Sequence, residues 1–541
     1  MKAGEFRRHV VVRKRRVIPV CGRHNASLNP TTATKTVRTS AQQIVPKADK
    51  SVAAASLDSN TCYRAMQAHD SRFDGRFFVG VRTTRIYCRP VCRVRMPRQE
   101  NCRFYISAAS AELAGFRPCM KCRPELAPGW HGIEPSNQLA QRAAFSMDVG
   151  EFNTTSLRNL AVKMGTTDRH LRRVFAQHYG VSPIEYAQTN RLLLAKQLLT
   201  DTSMAVTDVA FAAGFRSLRR FNALFSQRYR MSPSALRREG KSAASDRLMF
   251  RLAYRAPLDW QRLLAFLNQR AVLGVELVVG DRYLRTVSQP APGWIAARPL
   301  AGRNLIEVEL SRSLAKSVST VLRRLRHVFD LDCSPDQVAS VLGELAQGRE
   351  GLRLPGAWDG FELAVRAILG QQITVKAART LAGRFAARFG SPLAQTMGGD
   401  AHLPADIPAD LPAPESLNTL FPAASVIASA SVSDIASLGI VSKRAQTIIA
   451  LAGAMANGDL VLAPGADAPA TIAQLTTLPG IGDWTAQYIA MRALAWPDAF
   501  PATDLILMRA LGVTTGKQAL AKAQAWRPWR SYSVLHLWSQ A

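Results

Sequence analysis

The most regular pattern of apolar and polar positions is an internal repeat within residues 137–240. Its apolar and turn positions recur 49 to 50 residues later, and the matching segments are Leu160-Ala161 with Val209-Ala210, Met164-Gly165 with Ala213-Gly214, and Val181-Ser182-Pro183 with Met231-Ser232-Pro233. Each copy predicts an apolar helix, a glycine turn and a second helix with exposed basic residues, which is the layout of a helix-turn-helix. A purely structural helical bundle is the alternative that the pattern leaves open.

The second helix of each copy is predicted to present arginines to solvent. These are Arg169, Arg172 and Arg173 in the first copy and Arg216, Arg219 and Arg220 in the second. Arginines on the first turns of such helices can bond guanine edges or hold phosphates. We therefore expect these residues to contact double-stranded DNA.

Alternation of period two predicts a sheet in the middle of the chain. Apolar and acidic residues alternate as Ile306, Glu307, Val308, Glu309 and Leu310, and we expect the two glutamates on the face opposite to the apolar residues. Gly280-Asp281 lies between two apolar runs, which predicts a hairpin. We expect a small α+β subdomain over residues 247–345.

Residues 346–541 are predicted to form a mainly helical domain, interrupted by a Pro/Ala/Asp-rich surface insertion over residues 400–415. Within it, Leu478–Ala486 has two glycines around one aliphatic residue, which permits a turn tight enough for backbone N–H groups to approach an anion. Trp484 and Tyr488 are four residues apart and share a helical face. The pattern alone leaves open an ordinary turn between helices with a core tryptophan.

The length of the chain indicates how many domains it has, and its net charge indicates what kind of partner it binds. The chain has 541 residues, enough for three or four domains, and a formal net charge of +31. It has no apolar run long enough to span a membrane, so the expected partner is a polyanion and not a lipid bilayer. Residues 1–55 are basic and then rich in Ser and Thr, and we expect them to be a disordered tail. We expect a cytoplasmic, nucleoid-associated monomer.

Two close cysteine pairs predict a metal site. Cys88 and Cys92 are followed, after 26 intervening residues, by Cys119 and Cys122. Each short loop can place two sulfurs on one ion, so we expect one zinc ion, with two disulfides or buried thiols as the alternative. Nine basic residues between Arg85 and Arg123 surround the quartet and suit phosphates. Two further buried cysteines are expected at Cys62 and Cys102, of which Cys102 could be confused with a ligand.

Residues from about Leu57 to Pro124 resemble the N-terminal domain of the Ada adaptive-response regulators. The matching blocks are Val81-Arg82-Thr83-Thr84, Tyr87-Cys88-Arg89-Pro90-Val91-Cys92, Glu100-Asn101 and Ala114-Gly115-Phe116-Arg117-Pro118-Cys119. In that family the first cysteine of the quartet accepts a methyl group from a methylphosphotriester in the DNA backbone. The resemblance implies a small α/β zinc domain over residues 56–130 with Cys88 as the methyl acceptor.

The repeat in turn resembles the AraC-type DNA-binding domain, an all-α pair of helix-turn-helix motifs that enter successive segments of the major groove. The resemblance implies a transcription regulator that binds promoter DNA over residues 137–240. RNA polymerase is the further partner that such a regulator implies.

Residues 247–541 resemble the AlkA-type 3-methyladenine glycosylases of the helix-hairpin-helix superfamily. The matching blocks are Leu258-Asp259-Trp260, Leu263-Leu264-Ala265-Phe266-Leu267, Leu352-Arg353-Leu354-Pro355-Gly356, Ala367-Ile368-Leu369-Gly370-Gln371-Gln372, the Leu478–Ala486 turn, and Trp526-Arg527-Pro528-Trp529-Arg530-Ser531-Tyr532. The resemblance implies that the chain excises alkylated bases from DNA, with an α+β subdomain followed by an all-α glycosylase domain.

The same resemblance assigns the site residues. Asp504 is the catalytic acid, Gly480 and Gly482 hold the DNA backbone, and the base pocket is formed by Phe266, Trp484, Tyr488 and Trp538. An alkylated purine already carries positive charge, so stabilising the oxocarbenium sugar is enough to break its glycosidic bond. Relatives that also cut the strand have a lysine where Trp484 stands, so a monofunctional glycosylase is expected. No cysteine follows Cys333, which excludes the four-cysteine iron–sulfur cluster of the endonuclease III branch.

The chain departs from the AlkA pattern at three positions. The wedge residue that fills the gap left by the extruded base is leucine in that family, whereas this chain has Gln372, so the wedge is either Gln372 or Ile373. Thr503 replaces an aspartate next to the catalytic position, and Leu505 replaces an aromatic residue after it. The range of excised bases is therefore open.

Two functions compete. One is a repair enzyme that excises alkylated bases and also carries a methyl-sensing transcription regulator. The other is a regulator of the alkylation response whose glycosylase half only binds DNA. The presence of Asp504 favours the first, because a protein that only grips DNA does not need an acid there.

Overall fold

The computed structural model describes residues 58–129, 138–148, 156–239, 248–397 and 417–540, all within one compact unit. The predictions for residues 1–55 and 400–415 lie outside these ranges. The described chain is mainly helical, with one four-stranded and one five-stranded sheet and a short strand pair. This confirms the predicted multidomain architecture, mainly α with α+β parts.

The first part of the chain is built on a small sheet. It contains α1 (Ser59–Gln67), β1 (Phe78–Val81), β2 (Ile86–Cys88), β3 (Cys102–Tyr105), α2 (Ala108–Leu113) and β4 (Arg117–Pro118). The strand order is β3-β1-β2-β4, with β2 and β4 parallel. Because Cys88 ends β2 and Cys119 follows β4, this pairing brings both cysteine pairs to one end of the sheet. The Cys119 N–H donates to the Tyr87 carbonyl at 3.0 Å, which fixes the register.

The repeat folds as two helix-turn-helix copies joined by one long helix. The elements are α3 (Gln138–Asp148), α4 (Leu157–Lys163), α5 (Asp168–Tyr179), α6 (Pro183–Asp201), α7 (Val206–Ala212), α8 (Leu218–Tyr229) and α9 (Pro233–Glu239). The second helices are capped alike, since the Thr167 and Ser217 hydroxyls each accept a backbone N–H. In the turns, Gly165 and Gly214 have φ of 69° and 85°, a conformation that favours glycine.

The α+β part follows. It contains β5 (Leu248–Ala253), α10 (Trp260–Gln269), β6 (Glu276–Val279), β7 (Arg282–Val287), β8 (Gly293–Pro299), β9 (Leu305–Leu310), α11 (Val318–Val328) and α12 (Pro335–Leu342). The five strands are antiparallel in the order β5-β9-β8-β7-β6, and the predicted hairpin joins β6 to β7. Glu307 and Glu309 lie on the face of β9 opposite to the apolar residues, as expected, but Glu309 is buried there. Leu417 covers the second face of the sheet, and the buried Glu309 carboxylate pairs with Arg282.

The remaining helices form the largest core. They are α13 (Gly360–Leu369), α14 (Val375–Phe389), α15 (Leu393–Met397), α16 (Ala424–Ala428), α17 (Val432–Ala436), α18 (Ser442–Ala456), α19 (Ala468–Thr477), α20 (Asp483–Ala493), α21 (Leu505–Ala510), α22 (Gly516–Ala523) and α23 (Arg530–Trp538), with β10 (Ser391–Pro392) and β11 (Thr419–Leu420). No helix in the described part of the chain is long and apolar enough to cross a membrane.

The second helix-turn-helix copy shares its core with the α+β part. One hydrophobic core contains Phe221 and Phe225 of α8, Phe250 of β5, and Leu322 and Leu325 of α11. The first copy instead has a core of its own, closed by α3. The second helix-turn-helix copy and the α+β part are therefore joined by packing as well as by the chain.

Buried polar contacts reinforce this junction. The guanidinium of Arg255, which is fully buried, donates to the carbonyls of Gly129 at 2.7 Å and Asp332 at 2.9 Å. The Asp332 carboxylate in turn accepts the Gly129 N–H at 2.6 Å. Arg76 and Asp336 form a further ion pair at 2.7 Å across the same boundary. The segment that leaves the cysteine module is thus held against the α+β part from both sides.

Candidate functional site

Four cysteine sulfurs converge at the end of the first sheet. The Sγ atoms of Cys88, Cys92, Cys119 and Cys122 all lie within 4.8 Å of one another, and the first three residues are buried. In a tetrahedral thiolate site the sulfurs are about 2.3 Å from zinc and so about 3.8 Å apart. The quartet fits a zinc ion in both donor type and spacing.

The other cysteines in the described residues are ordinary buried thiols. Burial raises the pKa of Cys62 to about 11 and that of Cys333 to about 12, so both stay protonated at neutral pH. The Cys102 Sγ donates to the Arg98 carbonyl at 3.4 Å and does not belong to the quartet. Cys102 therefore does not compete as a ligand.

Two of the nine basic residues around the quartet are engaged inside the protein. Arg89 is buried, pairs with Asp74 and donates to the Cys122 carbonyl at 3.2 Å. Arg123 pairs with Asp201 of α6 at 2.7 Å and with Glu125 at 2.9 Å. These two arginines support the loop around Cys122 instead of facing phosphates, which the sequence pattern did not distinguish.

The Leu478–Ala486 turn connects α19 to α20 as a helix-hairpin-helix. Gly480 has φ of 86°, and an added Cβ would lie 2.3 Å from the Thr447 Oγ1, so only glycine fits. Gly482 has an ordinary φ of −90° and caps α20, and an added Cβ there would meet open space. The amino terminus of α20 thus opens onto the surface, where its N–H groups can bind an anion.

Asp504 is the amino-terminal cap of α21, and three N–H groups hold its carboxylate. The Trp484 Nε1–H donates to Oδ2 at 2.9 Å, and the Trp538 Nε1–H donates to Oδ1 at 3.2 Å. The Leu507 N–H donates to Oδ1 at 3.0 Å. Asp504 is 9% exposed, and the three hydrogen bonds fix the orientation of its carboxylate.

The predicted aromatic residues lie together beside this carboxylate. Trp484 and Tyr488 are stacked, with centroids 5.4 Å apart and planes 6° from parallel. Trp538 lies 6.3 Å from Tyr488. Phe266 of α10 joins them through Arg492, whose guanidinium is 5.0 Å from the Phe266 ring centre and 5.5 Å from that of Tyr488. The structure brings together all five residues that the sequence placed at this site.

Sequence reasoning missed two arginines of the pocket. Arg492 is buried and its Nη1 donates to the Tyr488 hydroxyl at 2.6 Å. Arg270 lies over Phe266, with its guanidinium 3.9 Å from the ring centre. Arg492 follows Tyr488 by four residues on α20, so helical spacing could have indicated it. Arg270 has no such helical spacing to the other pocket residues of α20, so the sequence did not indicate it.

Gln372 lies in the turn between α13 and α14. It is exposed and has φ of 57°, whereas Ile373 is half-buried. The neighbouring Gln371 donates to the Gly480 carbonyl at 3.0 Å and so ties this turn to the hairpin. The wedge role of Gln372 or Ile373 stays a prediction.

The predicted arginines of the two helix-turn-helix copies are exposed. They are Arg169, Arg172, Arg173, Arg216, Arg219 and Arg220. Arg172 pairs with Asp168 at 3.0 Å on its own helix. Arg216 does not lie on the second helix as expected, because Ser217 caps α8 and leaves Arg216 in the turn before it. Contact of these residues with DNA stays a prediction.

Four family models match successive parts of the chain. They are the metal binding domain of Ada over residues 61–125, a helix-turn-helix domain over 160–239, the AlkA N-terminal domain over 249–359, and the HhH-GPD superfamily of base excision DNA repair proteins over 365–528. The three resemblances that the sequence indicated are confirmed. Because the chain contains all four parts, the most informative relatives are proteins that contain all four as well.

One relative matches this chain over most of its length, and two other proteins match about half of it. The "Probable bifunctional transcriptional activator/DNA repair enzyme AlkA" of Mycobacterium tuberculosis is 37% identical over 501 residues, covering 89% of this chain and 96% of that protein. The DNA-3-methyladenine glycosylase 2 of Escherichia coli is 35% identical, covering 54% of this chain and 96% of its own. The 3-methyladenine DNA glycosylase structure from Archaeoglobus fulgidus covers 53% of this chain and 96% of its own, at 19% identity and a TM-score of 0.43. The chain belongs to the AlkA-type family of bifunctional transcriptional activators and DNA repair enzymes.

Proposed function

We propose that this chain is a DNA alkylation repair protein that releases alkylated, 3-methyladenine-like bases from double-stranded DNA and also regulates transcription through a methyl-sensing zinc module. The observation that carries the enzymatic part is the Asp504 carboxylate, which two indole N–H groups hold beside the stacked Trp484 and Tyr488 rings. A carboxylate beside an aromatic pocket and an anion-binding hairpin matches the needs of base excision.

Base release at this site requires charge stabilisation more than acid catalysis. The alkylated base leaves with the electron pair of the C1′–N bond, and the sugar becomes an oxocarbenium ion. Water then forms the new C1′–O bond and loses its proton. Asp504 stabilises the positive sugar and orients the water, while Trp484 and Tyr488 present π faces to the extruded base. No lysine stands at position 484, so the reaction ends at the abasic site.

The hairpin and the adjoining turn hold the DNA during this step. Gly482 and Asp483 at the start of α20 are exposed, so the first N–H groups of this helix can bind a backbone phosphate. Gln372, exposed in a turn that Gln371 ties to Gly480, is placed to reach toward the duplex. We propose Gln372 as the wedge, in preference to the half-buried Ile373.

The zinc module supplies a second chemistry. The quartet of Cys88, Cys92, Cys119 and Cys122 would hold one zinc ion, which when bound keeps the sulfurs as thiolates at neutral pH. The Cys88 sulfur attacks the methyl carbon of a methylphosphotriester, and a C–S bond forms as the C–O bond breaks. The phosphate oxygen keeps the electron pair, so a diester anion and a thioether result.

Methylation of Cys88 would also change DNA affinity. It removes one negative charge from a quartet that otherwise repels phosphates. At an effective dielectric of about 20 and a distance of about 5 Å, one unit of repulsion is worth roughly 3 kcal/mol before salt screening. We infer that the methylated module strengthens promoter binding at least about tenfold, with the helix-turn-helix pair supplying sequence specificity.

The deciding experiment for the glycosylase is release of 3-methyladenine from methylated DNA by the wild type and by Asp504→Asn. We expect the variant to lose at least about a hundredfold in rate and to keep its affinity for abasic-site DNA. An Asp459→Asn variant, changed at an exposed acid after α18 and outside the hairpin, is the matched control. Release at the wild-type rate by Asp504→Asn would move catalysis to another residue. No release by the wild type would favour the alternative, a regulator whose glycosylase half only binds DNA.

The methyl acceptor is tested separately. Wild type and Cys88→Ser are incubated with DNA that contains methylphosphotriesters, and the methylated residue is located by mass spectrometry. We expect one methyl group on Cys88 and a rise in promoter affinity in the wild type alone. A methyl group on Cys92, or unchanged affinity after methylation, would contradict the sensing role.

A further inference from the structure

Arg492 is held in one orientation beneath the base pocket. Its Nε donates to the Pro355 carbonyl at 2.8 Å, and its Nη2 donates to the Gly356 carbonyl at 3.1 Å. The remaining nitrogen, Nη1, donates to the Tyr488 hydroxyl oxygen at 2.6 Å. Because the guanidinium is planar and two of its nitrogens are fixed by main-chain carbonyls, its direction toward Tyr488 is fixed as well.

This contact decides where the Tyr488 hydroxyl proton points. A guanidinium has donors and no acceptor, so the Tyr488 oxygen must accept from Arg492 and direct its own hydrogen elsewhere. Arg270, which lies over the Phe266 ring on the neighbouring side, also has no acceptor to offer. Within the described ranges, no protein group accepts a hydrogen bond from the Tyr488 hydroxyl. The hydroxyl is left as a donor to a group that is not part of the protein.

The surroundings of Tyr488 are positively charged. Burial alone would raise the pKa of Tyr488, but the charges of Arg492, Arg270 and Arg366 outweigh it and lower the pKa below its ordinary value. The Asp504 carboxylate is the facing acid, and it is bound to the Trp484 and Trp538 indoles. This part of the pocket therefore attracts carbonyl oxygens and unprotonated ring nitrogens and repels amino groups.

We propose that Tyr488 is a specificity-determining hydrogen-bond donor to the extruded base and that Arg492 is the residue that positions it. The inference rests on the proposed base excision. The favoured substrates are bases that present a carbonyl oxygen to Tyr488. 7-Methylguanine has a carbonyl at position 6 and 3-methyladenine has an amino group there, so the two lesions report on this preference.

Both lesions occur in the same methylated DNA, which allows one experiment to compare them. Single-turnover release of each base is measured by chromatography for the wild type, Tyr488→Phe, Arg492→Met and Arg492→Lys. We expect Tyr488→Phe to slow 7-methylguanine release about tenfold, since one hydrogen bond to a buried acceptor is lost, and to change 3-methyladenine release less than about twofold. Arg492→Met should lower the ratio of 7-methylguanine to 3-methyladenine release as well. Arg492→Lys should give a ratio between those of the wild type and Arg492→Met, because lysine keeps the charge but lacks the planar set of guanidinium donors.

A matched control separates specificity from folding. Tyr532→Phe also removes a buried tyrosine hydroxyl, one that donates to Asp330 at 2.9 Å outside the pocket. We expect Tyr532→Phe to lower the melting temperature and to leave the ratio of the two bases unchanged. The double variant Tyr488→Phe/Arg492→Met should show the same ratio as Tyr488→Phe alone, because Arg492 acts on specificity through the Tyr488 hydroxyl.

The dependence on pH gives a readout that a merely structural role would not change. Once ionised, Tyr488 can only accept, so the wild-type preference for 7-methylguanine should decline as the pH rises toward the lowered pKa. Tyr488→Phe should show no such decline. A ratio that is unchanged in Tyr488→Phe would overturn this inference while leaving base excision intact. Release of neither base by the wild type would overturn the proposed function and this inference with it.

Discussion

The two helix-turn-helix copies have the same sequence pattern but different surroundings. In the first copy, Leu171 and Phe175 pack with Ala140 and Ala144 of α3 in a small core of their own. In the second copy, the equivalent Phe221 and Phe225 belong to a core that continues into β5 and α11 of the glycosylase half. The repeated pattern thus predicts the helices of each copy, but it does not predict which other elements complete the hydrophobic core of that copy. The second copy has become a structural element of the enzyme.

The largest expected effect is on the shared core. Phe225→Ala and Phe175→Ala remove equivalent side chains, and each should lower the free energy of unfolding by about 3–5 kcal/mol. Because Phe225 packs in the shared core, its loss should also destabilise the glycosylase half and reduce base release at 37 °C. Differential scanning calorimetry and base release measure the two effects. Normal base release by Phe225→Ala would contradict the shared core, whereas it is the expected result for Phe175→Ala.

A buried acid makes the attachment of the second copy depend on pH. Glu112 accepts hydrogen bonds from Tyr87 and Thr189, both at 3.1 Å, and its backbone carbonyl accepts from Arg228 of α8. Burial raises the pKa of Glu112 to about 7. The folded state therefore holds this proton more tightly than the unfolded state, and stability falls as the pH rises from about 4.5 through 7.

The test is Glu112→Gln, which keeps the shape and removes the charge. We expect it to match the wild type near pH 4.5 and to exceed its stability by about 3 kcal/mol at most above pH 7. Urea unfolding at several pH values measures the difference. Glu185→Gln, in the capping box of α6, serves as a control that should not become more stable with rising pH. If the free energies of unfolding of wild type and Glu112→Gln changed in parallel with pH, the pH dependence would not come from Glu112.

A smaller effect on the free energy of unfolding is expected at the contact between the cysteine module and the α+β part. Arg255→Met should cost about 2 kcal/mol, because the carbonyls of Gly129 and Asp332 lose a buried donor. The exposed Arg251 on β5 provides the control, and Arg251→Met should change stability by less than about 0.5 kcal/mol. Limited proteolysis after residue 129 should be faster in Arg255→Met alone.

The smallest expected effect concerns DNA contact by the two copies. Arg169 and Arg219 are equivalent exposed residues on α5 and α8. If both copies bind DNA despite their different surroundings, Arg169→Ala and Arg219→Ala should each reduce the slope of log affinity against log salt by about 1 for a phosphate contact. Promoter binding at several salt concentrations measures the slopes. A change in only one of them would show that the shared core keeps one copy away from DNA.

The sequence predicted the sites best where chemistry depends on local spacing. The quartet of cysteines, the hairpin glycines and the Trp484–Tyr488 pair are each defined by residues close together in the chain, and the structure brings each group together. Asp504 and Phe266 came from resemblance, because no local pattern links them to α20.

The remaining features depend on tertiary packing. Glu309 is buried because Leu417, far along the chain, covers its face of the sheet. Arg270 enters the pocket from the end of α10, and nothing in its own segment indicates this. The shared core of the second helix-turn-helix copy likewise requires the glycosylase half to be in place. Such contacts have no signature in a single sequence.

Helix α6 joins the two helix-turn-helix copies and so sets the spacing between their second helices, α5 and α8. It has 19 residues, and its first turns pack with the first copy while its last turns pack with the second. At about 1.5 Å per residue it is about 28 Å long, and one turn of DNA is about 34 Å. If both copies bind one duplex, we therefore expect the operator to present its two recognition segments on the same side. Inserting about five base pairs, half a helical turn, between the two segments would rotate one of them to the far side of the duplex. Inserting a full turn would return both segments to the same side but would leave them farther apart.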